Sequence, residues 1–363
     1  MDGPLRVLVV NAGSSSLKLR ALGPRDELLA SYDLAPGDPL PTGLPRVDAV
    51  GHRIVHGGTE FTGPVAVDDG VVERLRALTE LAPLHQPKSL AALDAVRREL
   101  PDLPAVACFD TAFHSSMPSA AATYAVPRDW QERYGVRRYG FHGLSHAYAA
   151  RRAAELLMRS PAELRVVTCH LGAGASLAAV RGGRSVDTTM GFTPLEGLVM
   201  ATRSGSVDPG LVLWLQEHEK LSEHDVAAAL EHESGLLALA GTADMREVTA
   251  RRDRGDPTAS LAFDVYVHRL RAGVAAMAAA MAGLDALVFT GGVGERSSVV
   301  RREAAVGLRF LGVHVDDEEN DAVGGDDRDV SYPGAPVRTL VIHAREDLEI
   351  ARQVRATLAA RGR

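Results

Sequence analysis

Residues 11–18 read Asn11-Ala12-Gly13-Ser14-Ser15-Ser16-Leu17-Lys18, and this polar stretch decides the fold. It follows an apolar run at residues 5–10, which predicts a buried strand, and residues 16–22 predict a second strand returning beside it. The tip of such a hairpin offers backbone N–H groups, hydroxyls and one lysine, which together suit a phosphate group. An ordinary hairpin turn is the alternative, because Asn, Gly and Ser are common turn residues.

The same pattern appears again later in the chain. Residues 164–169 predict a strand, the turn His170-Leu171-Gly172-Ala173-Gly174-Ala175-Ser176 follows, and residues 177–180 predict the returning strand. Two copies of one pattern indicate two similar halves, each holding one side of a polyphosphate. The repetition therefore favours a phosphate site over an ordinary turn.

Composition places the chain among globular proteins of two domains. It has 363 residues, of which 46% are hydrophobic and 24% charged, and its net charge of −7 argues against a nucleic-acid partner. Residues 272–284 form the most apolar window, which is too short to span a membrane. Cys108 and Cys169 lie in apolar runs, which indicates buried thiols in a reducing cytoplasm. We expect no signal peptide after Met1.

Two charged residues stand in or next to predicted strands. Arg53 lies in an apolar, glycine-flanked segment within the strand at residues 47–55. It pairs either with a structural carboxylate or with an anionic ligand, since its forked guanidinium matches both. Asp110 follows the strand at residues 105–109. It either faces the crevice where open α/β sheets bind ligands or caps the following turn.

The histidines predict hydrogen-bonding groups in a polar pocket. His142 and His146 have the spacing of a metal pair, as do His52 and His56. The sequence lacks a His-Glu-x-x-His pattern and a third ligand at a telling distance, so a zinc site is not favoured. Ser145 is predicted to cap the helix at residues 147–157.

The second half contains further candidate sites. Arg203 lies in a loop at residues 191–205, where a second arginine could neutralise developing phosphoryl charge. Asp244 is predicted to cap a helix. A strand at residues 286–290 leads through a glycine turn at 291–296 into the helix at 297–308. Such a turn is a candidate nucleotide site, although the Gly-x-x-x-x-Gly-Lys-Ser/Thr motif is absent.

Near the end of the chain, residues 316–329 are acidic and predict a solvated loop. Glu346 begins the final predicted helix at residues 346–358. An acidic residue in the first turn is favoured by the positive end of the helix dipole, so Glu346 by itself does not indicate a functional site.

The stretch at 11–18 and the run Asp187-Thr188-Thr189-Met190-Gly191-Phe192-Thr193-Pro194-Leu195-Glu196-Gly197 resemble those of acetate kinases. That family belongs to a superfamily with sugar kinases, actin and heat-shock chaperones, and the resemblance covers nearly the whole chain. It implies an α/β fold of duplicated ribonuclease-H-like domains, the actin-like ATPase fold, with the active site in the cleft between them. It implies domains at 1–110 plus 348–363 and at 111–347, the latter binding nucleotide and forming the dimer interface.

The resemblance also implies a cytoplasmic, homodimeric phosphotransferase with a carboxyl group as acceptor. The reaction is reversible, Mg²⁺-dependent transfer of phosphate from ATP to acetate, giving acetyl phosphate and ADP by direct in-line transfer; Mn²⁺ is an alternative metal. Acetate is already ionised at neutral pH, so Asp110 is better placed as a positioning group than as a strong base. The alternatives are a kinase of propionate or another short carboxylate, or a degenerate nucleotide-binding paralogue without kinase activity.

Position by position, the resemblance implies a role for each site residue. Asn11 and Glu346 match the metal site. Asp110, His142 and Arg203 match the catalytic residues, and Arg53 binds the substrate carboxylate. The pocket for the acyl methyl group comprises Val55, Leu84, Phe141 and Pro194. The nucleotide contacts are Ser14, Ser16, Lys18, His170, Leu171, Gly172, Ala173, Gly174, Asp244, Met245, Arg246, Gly292, Val293, Gly294, Glu295 and Arg296.

Four positions depart from the family pattern. Ala173 replaces Asn, Ala201 replaces Gly, Ser206 replaces Asp and Arg296 replaces Asn. Every residue assigned to the chemistry is retained, so the departures are consistent with an active enzyme or with a slow, specialised paralogue. Val55 favours acetate over propionate, although one methylene is worth only about 1–3 kcal/mol.

Overall fold

A computed structural model describes residues 5–13, 16–35, 37–81, 86–322 and 324–361. The chain divides into two compact units. The first unit comprises Met1–Ser115, Phe141–Tyr148 and Arg345–Arg363, and the second comprises Ser116–Gly140 and Ala149–Ala344. The domain boundaries implied by the resemblance stay a prediction.

The described residues contain twelve strands. They are β1 (Val7–Ala12), β2 (Leu17–Leu22), β3 (Leu28–Leu34), β4 (Ala49–Ile54), β5 (Val65–Ala66), β6 (Ala105–Phe109), β7 (Arg165–Leu171), β8 (Ala175–Arg181), β9 (Arg184–Thr188), β10 (Ala286–Thr290), β11 (Arg328–Asp329) and β12 (Arg338–Val341).

The helices lie between and after these strands. They are α1 (Asp69–Ala77), α2 (Gln86–Glu99), α3 (Ser119–Ala122), α4 (Arg128–Tyr134), α5 (Gly143–Leu156), α6 (Pro209–His218), α7 (Glu223–His232), α8 (Gly235–Ala240), α9 (Met245–Asp253), α10 (Pro257–Ala280), α11 (Gly291–Arg296), α12 (Ser298–Gly307), α13 (Asp317–Asp321) and α14 (Glu346–Arg361). Short 3₁₀ turns cover Leu78–Leu81, Ala112–Ser116, Pro161–Glu163 and Arg309–Leu311.

The first unit is built on a six-stranded sheet of order β3-β2-β1-β4-β6-β5. β1 and β2 pair antiparallel with Asn11 opposite Lys18, which confirms the predicted hairpin. β4 lies parallel to both β1 and β6, so these three strands end at the same edge of the sheet. Asn11, Arg53 and Asp110 all lie at or beyond that edge, where open α/β sheets bind ligands.

Both faces of this sheet are covered by helices, as side-chain alternation along a strand requires. On one face, strand residues pack against the apolar side of α14; this cluster includes Val7, Val9, Cys108, Ile350 and Val354. On the opposite face, they pack against α1 and α2; these clusters include Leu8, Val10, Val50, Ile54, Leu75, Leu93 and Val96. The docking of α14 places Glu346, its first residue, at the edge where β1, β4 and β6 end. We call this edge the functional edge of the sheet.

The second unit repeats the topology of the first. Its six-stranded sheet, read from β9, has the order β9-β8-β7-β10-β12-β11. This matches the order β3-β2-β1-β4-β6-β5 of the first sheet strand for strand. Each sheet contains an antiparallel three-stranded meander, followed in space by two parallel neighbours and a short antiparallel edge strand. The hairpin of β7 and β8 places His170 opposite Ser176. The predicted duplication is therefore confirmed.

Three local predictions were wrong. Ser145 does not cap a helix, because α5 already begins at Gly143, whose N–H donates to the Asp110 carbonyl at 2.8 Å. The acidic segment at 316–329 contains α13 and β11, since Asp316 caps α13 through the N–H groups of Glu318 and Glu319. Residues 291–296 form the short helix α11 instead of an open glycine turn.

The long helix α10 buries an apolar stripe of Val267, Leu270, Val274 and Met277, which Met281 at its C-cap continues. Across the described ranges, the helices fall short of the length and apolarity that a bilayer crossing demands.

Candidate functional site

A buried ion pair lies at the functional edge of the first sheet. Arg53 in β4 donates from Nε to Asp110 Oδ1 at 3.2 Å and from Nη2 to Oδ2 at 2.5 Å. The side chains are 16% and 1% exposed. Asp110 engages Arg53 with both oxygens. Of the alternatives for Arg53, the structural carboxylate partner is therefore present.

Two further residues extend this pair into a four-residue cluster. Arg53 Nη1 donates to Asn11 Oδ1 at 3.2 Å, and Asn11 Nδ2 donates to Glu346 Oε2 at 3.0 Å. Glu346 Oε2 also lies 3.9 Å from Arg53 Nε. Strands β1, β4 and β6 and helix α14 thus bring together residues up to 335 positions apart. We call Asn11, Arg53, Asp110 and Glu346 the carboxylate cluster.

Electrostatics within the cluster favour a charged arginine. Burial by itself would lower the pKa of Arg53, but the carboxylates of Asp110 and Glu346 raise it above its ordinary value. Burial raises the pKa of Asp110, and Glu346 acts in the same direction while Arg53 opposes it. Two carboxyl groups therefore share one guanidinium, and the cluster has an excess of negative charge that suits a cation.

The donor set of the cluster fits a hard divalent cation. Asn11 and Glu346 present an amide and carboxylate oxygens, which are the ligand types that Mg²⁺ prefers. A search of the described residues finds no group of three or more His, Cys, Asp or Glu side chains arranged around a metal. Mg²⁺ does not require one, since it usually binds through one or two carboxylates together with water and substrate phosphates.

His142 lies near this edge with an uncommon backbone conformation. Its φ is +56°, in the left-handed region that few non-glycine residues adopt. Such conformations concentrate at active sites, where the surrounding structure holds them. Phe141 before it is 1% exposed, and its ring meets that of His56 edge-on with 5.5 Å between centroids. Val55, at the end of β4, is 6% exposed.

His52 and His56, the other pair with metal-like spacing, are both buried. His56 Nδ1 accepts from Gly58 N–H at 2.8 Å, in agreement with a hydrogen-bonding role. That role is wrong for His52, whose ring nitrogens have no hydrogen-bond partner in the described part of the chain. Burial lowers the pKa of His52 to about 3 and that of His56 to about 4, so both are neutral.

Of the nucleotide and acyl-pocket residues predicted in the first unit, two cannot be placed. Ser14 and Leu84 lie outside the described residues. Lys18 lies exposed in β2, and the Ser16 carbonyl accepts from Gly13 N–H at 2.8 Å to close the hairpin.

In the second unit, the predicted phosphate loop closes the β7–β8 hairpin. Gly172 N–H donates to the Gly174 carbonyl at 2.9 Å. Arg203 belongs to the loop after β9, where its Nη1 donates to the Pro194 carbonyl at 3.3 Å. Burial lowers the pKa of Arg203, opposed by Glu231. The second arginine is therefore tied to the residue predicted for the acyl pocket.

Asp244 caps α9, as predicted, by accepting from Arg246 N–H at 2.9 Å. Its carboxylate also pairs with the Arg246 guanidinium at 2.6 Å. Met245 is 4% exposed and belongs to the core. This geometry explains the three residues structurally, and their contact with nucleotide stays a prediction.

Side-chain hydrogen bonds from Glu295 and Arg301 fix the backbone of the segment Gly291–Arg296. Glu295 Oε1 accepts from the N–H groups of Gly291 and Ala344, each at 2.9 Å. Arg301, 1% exposed, donates from Nη1 to the carbonyls of Gly294 and Glu295, each at 2.9 Å. Its Nε and Nη2 bind Asn320 at 2.7 Å. The role of Arg301 could not be expected from the sequence, because an arginine in an amphipathic helix ordinarily faces solvent.

Comparison with known proteins identifies the family. A model of the acetokinase family matches residues 39–352. The chain belongs to this family. It is 47% identical to the acetate kinase of Deinococcus radiodurans, with 98% of each chain covered. It is 43% identical to the acetate kinase of Streptomyces avermitilis, with 97% of each chain covered.

Solved structures of the acetokinase family share the fold. The acetate kinase of Porphyromonas gingivalis is 35% identical with a TM-score of 0.90, covering 97% of this chain and 99% of that chain. A propionate kinase from Francisella tularensis is 34% identical with a TM-score of 0.87, covering 96% and 98%. Acetate kinases are phosphotransferases that act on a carboxyl group and use ATP.

The acetokinase run at 187–197 is fixed by two residues that the sequence analysis missed. Arg138 donates to Glu196 Oε1 at 2.7 Å and to the carbonyls of Thr189 and Met190 at 3.2 and 3.1 Å. The Tyr124 hydroxyl also binds Glu196. Glu196 therefore serves as the anchor of this loop, which carries Pro194.

Three departures from the acetokinase pattern lie around the same loops. Ala201 N–H donates to the Ala173 carbonyl at 3.2 Å, so two of the departing residues are hydrogen-bonded to each other through the backbone. Ser206 Oγ accepts from Gly197 N–H at 3.1 Å. The Ser206 N–H also donates to the Gly197 carbonyl at 3.0 Å. The backbone bonds of Ala173, Ala201 and Ser206 do not depend on side-chain identity, which explains how the loops keep their form with altered side chains.

Proposed function

We propose that this chain transfers a phosphoryl group reversibly from ATP to acetate, giving acetyl phosphate and ADP by direct in-line transfer. The observation that carries the proposal is the carboxylate cluster, in a chain of the acetokinase family. The cluster combines a fixed guanidinium, which matches a carboxylate or acyl phosphate, with oxygen ligands for a cation.

Arg53 binds the acceptor carboxylate, and Asp110 orients Arg53. The bidentate pairing between them holds the guanidinium plane in one direction. The acceptor oxygen is already ionised at neutral pH, so the main task is to bring two anions together in line. Asp110 acts here as a positioning residue and not as a proton acceptor.

Asn11 and Glu346 hold Mg²⁺, or Mn²⁺ in its place. The metal, when bound, supplies positive charge beside the transferring phosphoryl group. The hydrogen bond between Asn11 and Glu346 keeps both oxygen ligands at the same edge of the sheet. The acidic excess of the cluster supports this assignment.

His142 and Arg203 stabilise the charge that spreads over the equatorial phosphoryl oxygens. The left-handed conformation of His142 and the half-buried guanidinium of Arg203 support these roles. Nucleotide binding by residues 111–347 is supported by the repeated hairpin of the second unit and by the short helix α11. In α11, a Cβ atom at Gly292 would meet no atom within 4 Å, which leaves space beside the backbone for a ligand. The proposed nucleotide contacts are residues 170–174, 244–246 and 292–296, with Ser14, Ser16 and Lys18 from the first hairpin.

The acyl pocket of Val55, Leu84, Phe141 and Pro194 selects a small acceptor. Val55 is branched and buried, which leaves little room for another methylene. Propionate is a second candidate acceptor, since a structural relative in the family is a propionate kinase. One methylene is worth only about 1–3 kcal/mol, so both acids are expected to react to some extent.

The proposed enzyme is a cytoplasmic homodimer. The helix α6 supports dimerisation, because Leu211, Leu213 and Trp214 are 46%, 58% and 46% exposed. A run of large apolar residues on one exposed helix is typical of a protein contact. Buried free thiols at Cys108 and Cys169 suit a reducing compartment.

Hydroxamate trapping of acyl phosphate tests the proposal. Acetate, propionate and butyrate are each offered with ATP, GTP and pyrophosphate, and acetate with ATP is expected to react fastest. Failure of every pair, despite measurable ATP binding, would favour a non-catalytic paralogue.

Arg53→Ala tests the assignment of the acceptor site. We expect it to weaken acetate use far more than ATP binding, because the guanidinium meets the acceptor. Arg20→Ala is the matched control, since Arg20 pairs with the exposed carboxylate of Asp33 in the same sheet. Equal losses for acetate and ATP in Arg53→Ala would contradict the assigned role.

A further inference from the structure

We propose that His114 is a positioning residue that holds His142 in its left-handed conformation. The inference rests on the proposed function, in which His142 stabilises the transferring phosphoryl group. His114 was not singled out by the sequence analysis, and it lies in the 3₁₀ turn Ala112–Ser116 directly after Asp110.

The backbone on both sides of His142 is tied to this one turn. Before His142, the Phe141 carbonyl is bound by His114 Nε2 at 3.0 Å. After His142, Gly143 N–H donates to the Asp110 carbonyl at 2.8 Å. The segment Asp110 to His114 therefore clamps the two peptide groups that flank the proposed catalytic histidine.

The clamp accounts for an energetically unfavourable conformation. A non-glycine residue in the left-handed region costs about 1–2 kcal/mol, and it persists only where its surroundings hold it. His142 has a φ of +56°. The His142 carbonyl in turn accepts from the N–H of His146 in α5 at 2.9 Å. Loss of the bond to the Phe141 carbonyl therefore releases the peptide group before His142, which is the one that sets its φ.

The chemistry of the bond defines the state of His114. A carbonyl only accepts, so Nε2 must carry the proton and donate. Burial lowers the pKa of His114 to about 4, and the ring is therefore neutral at pH 7. The rings of Phe113 and His146 meet it edge-on, with centroids at 5.6 and 5.7 Å, and restrict its rotation.

The same turn links His142 to the acceptor site. Asp110 holds Arg53 with its side chain and Gly143 with its carbonyl. A Cβ atom at Gly143 would lie 2.2 Å from the Asp110 carbonyl oxygen, so only glycine permits this close contact. The turn therefore sets the acceptor-binding arginine and the proposed catalytic histidine relative to each other.

Two substitutions of His114 separate its hydrogen bond from its bulk. His114→Phe keeps an aromatic ring and removes the donor, while His114→Gln places an N–H near the position of Nε2. We expect His114→Phe to lower kcat for acetyl phosphate formation by about ten- to a hundredfold, as small misplacements of catalytic groups do. The KM for ATP should remain unchanged, and His114→Gln should restore most of kcat.

A double-mutant cycle decides whether His114 acts through His142. In a His142→Ala background, His114→Phe should cause no further loss of kcat. An equal fold-loss in both backgrounds would overturn the proposal, because a merely structural residue affects both enzymes alike. If His114→Phe does not fold, His114→Asn, which is too short to reach the Phe141 carbonyl, replaces it in the cycle.

A crystal structure separates this inference from the proposed function. If the parent chain makes no acyl phosphate, the proposed function fails, but the φ of His142 in the His114 variant still answers the question of positioning. We expect φ to leave the left-handed region when the donor is removed. Retention of φ near its parent value would overturn the inference whatever the activity.

Discussion

Replacing His52 with leucine tests whether buried imidazoles limit the stability of the first unit in acid. His52 lies in the central strand β4, is 1% exposed, and has no hydrogen bond to either ring nitrogen within the described ranges. Burial, assisted by the positive charge of Arg97, lowers the pKa of His52 from 6.5 to about 3. The folded protein therefore excludes a proton that the unfolded chain accepts.

The sign and size of the effect follow from proton linkage. As pH falls below 6.5, the unfolded chain binds a proton that folded His52 does not bind until about pH 3, so the free energy of unfolding decreases. Between pH 7 and pH 5 the loss is about 2 kcal/mol for one such group. Burial lowers the pKa of His56 and of His114 to about 4, so each contributes a similar loss. Together they amount to about 6 kcal/mol, a large part of a typical domain stability.

His52→Leu should remove one third of this acid sensitivity. At pH 7 the variant should be as stable as the parent or more stable by about 1–2 kcal/mol, since two unpaired buried polar atoms are lost. Urea unfolding followed by circular dichroism at pH 7, 6 and 5 gives the slope. Tryptophan fluorescence supplies an internal control, because Trp130 and Trp214 both belong to the second unit.

Two matched variants complete the experiment. His52→Gln also lacks a titrating group and should share the reduced slope of His52→Leu while differing from it at pH 7. Val50→Ala, on the same face of the same strand, should lower stability at every pH and keep the parent slope. If His52→Leu loses stability with acid as steeply as the parent, the buried imidazole is not the cause.

Three further predictions address the pocket and the α11 segment. Val55→Ala should raise kcat/KM for propionate relative to acetate by about tenfold, measured with both acids, and an unchanged ratio would place the acyl pocket elsewhere. Gly291→Ala should lower the free energy of unfolding by about 1–3 kcal/mol, because φ is +77°. Gly292→Ala, whose Cβ meets nothing within 4 Å, should not. Arg301→Met should cost about 3 kcal/mol and raise the KM for ATP, whereas Arg302→Met, at a side chain that is 32% exposed, should cost under about 1 kcal/mol. Equal costs would contradict the role of burial.

Local pattern was enough to predict most elements. The strands at 105–109 and 286–290 have the predicted bounds, and the two hairpins were visible as apolar runs around small residues. Helix starts were less accurate, because a distant partner can satisfy a terminal N–H group. The Asp110 carbonyl does this for Gly143 and moves the start of α5 away from Ser145.

The site was predicted unevenly. Motif resemblance selected the four residues of the carboxylate cluster, but the residues themselves left Arg53 and Asp110 with open alternatives. Their pairing spans 57 positions and depends on β4 and β6 lying side by side. Arg138, Arg301 and His114 carry no local pattern that separates them from ordinary arginines and histidines.

The sequence by itself therefore determined the duplication, the two hairpins, the strands at 105–109 and 286–290, and the family. These depend on periodicity and on motifs within about twenty residues, which are properties of neighbouring positions. Only the tertiary structure decided which groups are buried, paired or strained. Burial makes His52 neutral, parallel strand ends assemble the carboxylate cluster, and one turn after β6 holds His142, because each of these depends on atoms that the chain brings together only when it folds.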